Sequence, residues 1–308
     1  MAAVTAALVK ELREMTGAGM MDCKKALVET DGDIEKAVDF LRENGLSKAA
    51  KKAGRIAAMG LVKTAFAADG KSAAIVEVNS ETDFVAKNSE FINFVQGLAD
   101  LALKSDAADM DAFMALPFEE GTVKDALNNK IATIGENMNI RRFAKLNEDG
   151  VVYTGYIHGG GTIGVIVGLK TDAAADAIQT CGKDVAMQVA SMNPKFLNES
   201  QVDQAYLDHE REILRQEVLN EGKPEKIVDK IVDGKIKKEL KEVCLTDQKF
   251  VKDSDMTVEE YVAGCAKELG TEMTIASMIR YEVGEGIEKK EEDFAAEVAA
   301  QQAEAAKK

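Results

Sequence analysis

Apolar residues in the first fifty positions recur at helical spacing, with short polar breaks between the runs. Leu8 and Leu12 fall on one face of a first helix. Thr5 precedes this helix as a capping residue, and Gly17 ends it. The same spacing predicts two more helices before residue 50. Three helices in so short a stretch predict a small bundle over residues 1–54.

A different pattern follows, in which strand-like apolar runs come before an amphipathic helix. An Asp-Gly pair at 69–70 separates the first two runs, which is a strong hairpin signal. Residues 140–191 repeat this order of strands, turn and helix. We therefore predict an α+β fold with two related core subdomains and antiparallel sheets. They cover 55–140 and, for the second, 141–195 together with 246–286.

The second subdomain is interrupted by a highly charged stretch, 196–245, which predicts an inserted helical hairpin. Its turn is Gly222-Lys223-Pro224. The apolar stripes are Val202, Tyr206, His209 and Ile213 on the first helix, and Ile227, Ile231, Ile236, Leu240 and Val243 on the second. The two helices can satisfy these stripes by packing on each other, so the pattern leaves self-association open.

The end of the chain contains one more strand and one more helical stretch. Alternating apolar residues from Thr274 to Val283 predict a strand that completes the second sheet. Residues 287–308 are charged and rich in Ala, which predicts a C-terminal helix of marginal stability.

Composition narrows the function classes. A net charge of −15 over 308 residues repels phosphate backbones, so direct nucleic-acid binding is not expected as the main task. We expect no membrane association, because no apolar run is long enough to span a bilayer. The N-terminus has neither the apolar core of a signal peptide nor a transit-peptide composition, which favours the cytoplasm.

The residues that usually carry metal or thiol chemistry are sparse and scattered. The only histidines, His158 and His209, are not at metal-ligand spacing. The cysteines form no CxxC pair, which favours a reducing compartment: Cys23, Cys181, Cys244 and Cys265. We therefore expect no metal, no cofactor and no catalytic residue. A hydrolase built on His158 and Cys181 is a remote alternative.

A glycine-rich stretch, Gly159–Gly164, matches the GxGxxG fingerprint of dinucleotide sites. That fingerprint requires a helix after the glycines, whereas an apolar strand at 165–169 follows here. His158 and the next three glycines also imitate the oxyanion loop of lipases, but the chain has no GxSxG motif. We interpret the stretch as a hairpin turn.

A strand-to-helix corner lies between the apolar run 73–78 and a helix that begins near Ser89. Such a corner can hold Asp83 and Phe84 outward on a rigid base. The alternative is that Phe84 packs into the core and the Asp83 side chain is simply solvated.

Four blocks of the sequence resemble the elongation factor Ts family of translation factors, which strip GDP from the GTPase elongation factor Tu. The blocks are Leu12–Leu27, Asn79–Ala86, Ile134–Arg142 and Val283–Ile287. They are long, and they extend from the first residues almost to the last. The resemblance implies a bundle similar to the ubiquitin-associated module, an inserted dimerisation hairpin of coiled-coil type, and a C-terminal helix that packs on the partner.

The resemblance also implies roles for the corner. In the family, the Asp-Phe pair enters between two helices of the GTPase beneath its Mg²⁺ site and displaces the metal. Carried over, Phe84 is the wedge and Asp83 orients it, while Thr82 and Val85 hold the corner. The chain is then a guanine-nucleotide exchange factor and not an enzyme of covalent chemistry.

Further contacts with elongation factor Tu are implied at Arg13, Met20, Met21, His158 and Val251. The expected assembly is a homodimer or a two-plus-two complex. From physics alone, the two methionines can equally staple the bundle, and His158 can bond to its own hairpin. An N-terminal module that recruits ubiquitin-like or ribosomal partners is a second alternative function.

Two local features depart from a simple pattern. The basic run at 47–57 can meet an acidic surface or ribosomal RNA, but a solvated linker is favoured. Thr162 stands where many family members have Arg, and Lys252 follows apolar neighbours near a predicted contact.

Overall fold

The computed structural model describes residues 4–288, and its first unit is the predicted three-helix bundle. The helices are α1 (Ala6–Thr16), α2 (Met20–Glu29) and α3 (Ile34–Lys52). The Thr5 hydroxyl accepts from the Leu8 N–H, and Gly17 ends α1 with a φ of 65°. The core comprises Val9, Leu12, Cys23, Ala26, Leu27 and Ala37.

Helix α3 is longer than the bundle requires, and the expected solvated linker at 47–57 is wrong up to Lys52. Two of the basic side chains of this stretch dock the helix onto neighbouring elements. Lys48 forms an ion pair with Asp22 at 2.7 Å. The Lys52 ammonium donates to the backbone carbonyl of Ile131 at 3.3 Å, which ties the bundle to the next unit.

The next elements form a three-stranded antiparallel sheet covered by helices. In chain order they are β1 (Met59–Phe66), β2 (Ala73–Ser80), α4 (Asp83–Ala86), α5 (Ser89–Lys104), α6 (Met110–Met114), β3 (Pro117–Phe118), β4 (Gly121–Thr122), α7 (Val123–Ile134) and β5 (Met138–Leu146). Strand β2 lies in the middle of the sheet, between β1 and β5. Every residue of β2 is buried, because both faces of the sheet are covered.

Strand β5 corrects the predicted division of the core. It pairs with β2 from Ser80↔Met138 to Ala73↔Leu146, so it belongs to the first sheet. The predicted boundary between residues 140 and 141 therefore falls inside a strand. Apolar alternation identifies a strand but not its neighbour, which explains why the sequence pattern placed most of β5 in the second subdomain.

The second unit contains another antiparallel sheet. Its elements are β6 (Val151–His158), β7 (Ile163–Thr171), α8 (Gln179–Met192), α9 (Gln204–Asn220), α10 (Glu225–Val243), β8 (Lys249–Phe250), β9 (Asp253–Thr257), α11 (Val258–Leu269) and β10 (Met273–Glu282). The sheet order is β10-β7-β6, so β10 completes the second sheet as predicted.

The two sheets pack face to face. Alternate residues of β2, such as Ile75, share one buried cluster with Tyr153 and Ile166 of the second sheet. The other face of β2, including Val76, packs on α5. Strands β6 and β7 bury their other face against α8 and α11. The core is therefore a four-layer arrangement of helices, sheet, sheet and helices.

The inserted hairpin is confirmed, with α9 and α10 packed against each other. Its buried residues are Val218, Val228, Val232 and Ile236, with Leu207, Leu214, Ile231 and Leu240 partly buried. The predicted stripes are wrong in phase at His209, Ile213 and Ile227, which are exposed. Charged pairs flank the seam, including Arg211 with Asp233 at 2.6 Å.

The predicted C-terminal helix at 287–308 lies outside the described residues except for its first two positions. Within residues 4–288, none of the helices is both long and apolar enough to cross a bilayer.

Candidate functional site

The corner after β2 presents Phe84 to solvent. It is 79% exposed, the largest fraction among the exposed large apolar residues from 4 to 288. The alternative in which Phe84 is core is therefore wrong. Val85, the next residue, is only 6% exposed and packs into the first core cluster. The single turn α4 thus points one apolar side chain inward and its neighbour outward.

Residues from the link between α7 and β5 hold this corner. One oxygen of Glu136 accepts from the Thr82 hydroxyl at 2.7 Å, and the other accepts from the Thr82 N–H at 3.0 Å. The Ser80 hydroxyl donates to the Thr82 carbonyl at 3.0 Å. Glu81 accepts from the backbone N–H of Asn137 at 2.5 Å. Sequence reasoning missed Glu136 and Asn137, although both lie in a block that resembles the family.

Asp83 is partly exposed, and its carboxylate bonds within its own helical turn. The Lys87 ammonium donates to the Asp83 carboxylate at 2.6 Å, which is an i, i+4 contact. This hydrogen bond lowers the pKa of the Asp83 carboxyl below its ordinary value. Asp83 is therefore ionised at neutral pH. The i, i+4 spacing was the available signal for Lys87.

Exposed apolar side chains surround the corner. Met59 is partly exposed at the start of β1 and pairs in register with Ser80, the last residue of β2. Ile56, three residues earlier, is about half exposed. Together with Phe84 they give this edge of the molecule an apolar character that pattern analysis did not detect, because the residues are far apart in sequence.

The N-terminal bundle carries its own exposed apolar residues. Met20 is exposed and Met21 is 75% exposed, so the alternative in which both staple the bundle is wrong. Arg13 is exposed on α1. A cleft of about 690 Å³ separates the loop at 15–19 from the first turns of α5, which follows the corner.

An ion pair fixes the bundle to the first core unit. Arg42 of α3 lies 2.8 Å from Asp125 of α7, and its guanidinium lowers the pKa of Asp125 to about 2. The same carboxylate closes a capping box with Thr122. The bundle surface is thus held in a defined place beside the corner.

His158 is exposed at the turn between β6 and β7, and the predicted hairpin is confirmed. Its Nδ1 lies 3.0 Å from the Tyr156 hydroxyl, so the ring bonds within its own hairpin and still faces solvent. The Thr162 hydroxyl donates to the His158 carbonyl at 3.3 Å, so this departure from the family pattern helps to close the turn.

Val251 lies at the tip of the β8–β9 hairpin and is 47% exposed. Its N–H donates to the Gln188 side chain at 2.8 Å. Lys252 forms an ion pair with Asp184 at 2.6 Å, and the Tyr261 hydroxyl donates to the same carboxylate at 2.9 Å. Lys252 is therefore directed back onto its own chain and away from the exposed face of Val251.

The structure brings the corner and the His158 turn to the same side of the molecule. The Val62 N–H donates to the Gly161 carbonyl at 2.8 Å, and the Val283 N–H donates to the Thr162 carbonyl at 2.9 Å. Gly284 then lies against Ala58, where a Cβ would approach the Ala58 carbonyl to 2.1 Å. The β1–β2 edge that carries the corner is thus adjacent to the turn.

The hydrolase alternative finds no support among the described residues. Cys181 is buried in α8, and burial raises the pKa of its thiol, whereas His158 is exposed at a distant turn. No cluster of potential metal ligands occurs in the part of the chain that the structure describes. The arrangement suits binding of a partner surface by exposed side chains.

Comparison with known proteins identifies the family. The model of the family described as elongation factor TS matches residues 81–285. The chain is 56% identical over 302 residues to elongation factor Ts of Clostridioides difficile, covering 98% of this chain and 99% of that protein. Identity to elongation factor Ts of Clostridium novyi is 56%, covering 96% and 97% of the two chains. The protein therefore belongs to the elongation factor Ts family of translation elongation factors.

Proposed function

We propose that this protein binds elongation factor Tu in its GDP form and releases the nucleotide by inserting the Thr82–Val85 corner. One observation carries the proposal: Phe84 is 79% exposed on a corner that the distant carboxylate of Glu136 holds in place. An exposed aromatic ring on a rigid base is suited to enter an apolar crevice in a partner. Family membership supports both the exchange activity and the partner.

The physical route to release is mechanical and needs no covalent chemistry. In a P-loop GTPase, Mg²⁺ bridges the nucleotide phosphates to the protein. Mg²⁺ requires nearly ideal octahedral geometry, so a displacement of about 1 Å in its ligands loosens it. In our proposal Phe84 provides the displacement, and the ionised Asp83 makes a polar contact that orients the ring.

Exchange then follows from linkage between two ligands. The factor binds the nucleotide-free GTPase best, so GDP and the factor weaken each other's binding by one common ratio. GTP in excess rebinds and expels the factor. The protein acts as an exchange factor with no catalytic residue and no cofactor of its own.

The wedge requires a wider grip, because two side chains cannot hold the open state alone. We assign the first part of that grip to Arg13, Met20 and Met21 on the bundle, which would contact the nucleotide domain beside the corner. His158 and Val251 would reach a different domain of the partner. All five residues are exposed in the structure.

The direct test is the double variant Asp83→Ala with Phe84→Ala. We expect release of labelled GDP from elongation factor Tu to slow about 100-fold at saturating factor, as for loss of a contact made only in the open state. The matched control is Glu268→Ala with Leu269→Ala, an exposed acidic–apolar pair on α11. Release at the wild-type rate by a folded double variant would remove the wedge from the mechanism.

The inserted hairpin supports a second proposal, that of a homodimer or a two-plus-two complex with the partner. Ile213 and Ile227 remain exposed although α9 and α10 bury their seam. Replacing both with Asp should reduce the mass measured by light scattering to that of one chain, since charges are depleted from interface cores. Leu219→Asp, also on an exposed position, serves as control. An unchanged mass would place any dimer contact elsewhere.

A further inference from the structure

We propose that Glu136 is a positioning residue of the exchange reaction, which holds the corner so that Phe84 is presented to the GTPase in one orientation. The inference rests on the proposed wedge function and adds a residue to it. The Glu136 side chain forms its hydrogen bonds within its own chain. Both of its carboxylate oxygens bond to Thr82, the residue that immediately precedes the Asp83–Phe84 pair.

Helix α4 is too short to be stable on its own. This helix has only four residues, and isolated helices so short are unstable in water. The Thr82 side chain occupies the capping position but makes no hydrogen bond to a backbone N–H of α4. Its hydroxyl donates to Glu136 instead. The orientation of α4 is therefore set by a group outside the helix.

Packing in the free protein does not orient the Phe84 ring. With 79% of its side chain exposed, the ring takes little support from neighbours in the free protein. Its direction depends on the backbone of the corner. Glu136 fixes that backbone directly, because one of its oxygens accepts from the Thr82 N–H at 3.0 Å. Charged hydrogen bonds of this kind are stronger than neutral ones.

Glu136 and Asn137 lie in the short link between α7 and β5. Gly135 ends α7 with a φ of 92°, a backbone conformation that favours glycine, and the chain then turns toward the end of β2. Asn137 donates its N–H to Glu81 and its side-chain amide to the Arg55 carbonyl at 2.7 Å. Two successive residues thus brace two successive residues of the corner.

A carboxylate makes this brace stronger than a neutral side chain could. A carboxylate accepts two hydrogen bonds through two oxygens, whereas the amide of Gln offers one oxygen and an NH₂ group that only donates. Glu136→Gln therefore keeps the volume but loses both charged hydrogen bonds: its oxygen can accept from the Thr82 N–H, and the Thr82 hydroxyl has to turn and accept from the NH₂ group. The corner should remain folded on its buried Val85, while its orientation becomes less defined.

The experiment measures release of labelled GDP from elongation factor Tu over a range of factor concentrations. For Glu136→Gln we expect the maximal rate to fall about tenfold, and the half-saturating concentration to change less than about twofold. A variant that merely unfolds in part would show the reverse, with an unchanged maximum reached at higher concentration. Glu268→Gln controls for the loss of one exposed carboxylate.

A cycle with Phe84→Ala tests whether Glu136 acts through the ring. In the Phe84→Ala background, Glu136→Gln should slow release less than about twofold, because coupled residues are not additive. An equal tenfold loss in both backgrounds, or a wild-type maximum for Glu136→Gln alone, would overturn the positioning role and leave the wedge intact. A wild-type rate for Phe84→Ala itself would instead overturn the wedge function.

Thr82 provides a second variant that leaves Glu136 in place. Thr82→Ser keeps both donors and should lower the maximal rate less than Thr82→Val, which removes the hydroxyl that donates at 2.7 Å. We expect Thr82→Val to lower the maximal rate about threefold, since the N–H bond to Glu136 persists. A loss as large in Thr82→Ser as in Thr82→Val would contradict the brace.

Discussion

The Thr82–Val85 corner and the Gly159–Gly161 turn present exposed side chains at adjacent strand ends, yet they are held in different ways. The corner depends on the outside carboxylate of Glu136, 54 positions away in sequence. The turn depends on its own backbone: the N–H groups of Gly161 and Thr162 both donate to the His158 carbonyl. The turn is also anchored by Val62 and Val283, so the two surfaces differ in whether a distant side chain or the local backbone fixes the exposed residue.

This difference suits the two proposed tasks. A wedge that must displace another protein's groups needs a base that resists force, and remote braces provide it. A turn that adds one contact to a broad interface needs only a defined shape. The glycines supply that shape, since Gly159, Gly160 and Gly161 all adopt positive φ values, from 56° to 116°. Breaking each surface should therefore require a different kind of substitution.

The largest effect is expected at Glu77, where the two surfaces share a support. This fully buried carboxylate accepts from Arg141 at 3.1 Å, Arg142 at 2.6 Å and the Gly284 N–H at 2.9 Å. Its loss in Glu77→Ala would leave partly buried guanidinium groups uncompensated. We expect the free energy of unfolding in urea to fall by about 4 kcal/mol.

Glu77→Ala also tests whether the corner and the turn are supported together. Glu77 lies on β2, the strand that leads to the corner, and Gly284 lies beside the turn. Both surfaces should lose their defined arrangement together. The exposed carboxylate of Glu268 gives the control, for which removal should alter stability by less than about 0.5 kcal/mol. A loss below about 1 kcal/mol for Glu77→Ala would mean that the two sheets do not depend on this network.

A smaller and local effect is expected for Gly161→Ala. Its φ of 116° is a backbone conformation that Ala adopts only with strain, and the added Cβ would lie 2.7 Å from the Leu61 side chain. We expect the free energy of unfolding to decrease by about 2 kcal/mol. The half-saturating concentration in GDP release should rise, while the maximal rate is retained because the corner is intact.

Gly160→Ala separates the two causes of that effect. Gly160 also has a positive φ, 71°, but no neighbour lies within 4 Å of the added Cβ. This control should cost about 1 kcal/mol, from backbone strain alone. A fall in the maximal rate of Gly161→Ala as large as that of the wedge variant would show that the turn and the corner are not held independently.

Elements with local signals could be predicted from the sequence. Thr5 and Gly17 bound α1 as expected, and the Asp-Gly pair at 69–70 forms the β1–β2 connection. Helix α5 begins at Ser89, as its apolar spacing indicates. Caps, turns and apolar periodicity involve residues a few positions apart, so one stretch of sequence contains all the necessary information.

Features set by distant contacts could not be predicted. The sheet that β5 joins depends on pairing with β2, and a strand pattern does not specify its partner. The exposed sides of the inserted hairpin were misjudged at Ile213 and Ile227, because its charged helices allow more than one apolar phase. The part played by Glu136 at the corner was missed for the same reason: the bond to Thr82 exists only in three dimensions.

The burial of β2 on both faces has a mechanical consequence. The strand that ends at the Phe84 corner is the middle strand of its sheet and is enclosed between α5 and the opposite sheet. A force on the Phe84 ring is therefore transmitted to a strand whose backbone is hydrogen-bonded to a neighbouring strand on each edge. The corner thus extends from a strand that is paired on both edges and buried on both faces, so displacement on contact should fall on the partner.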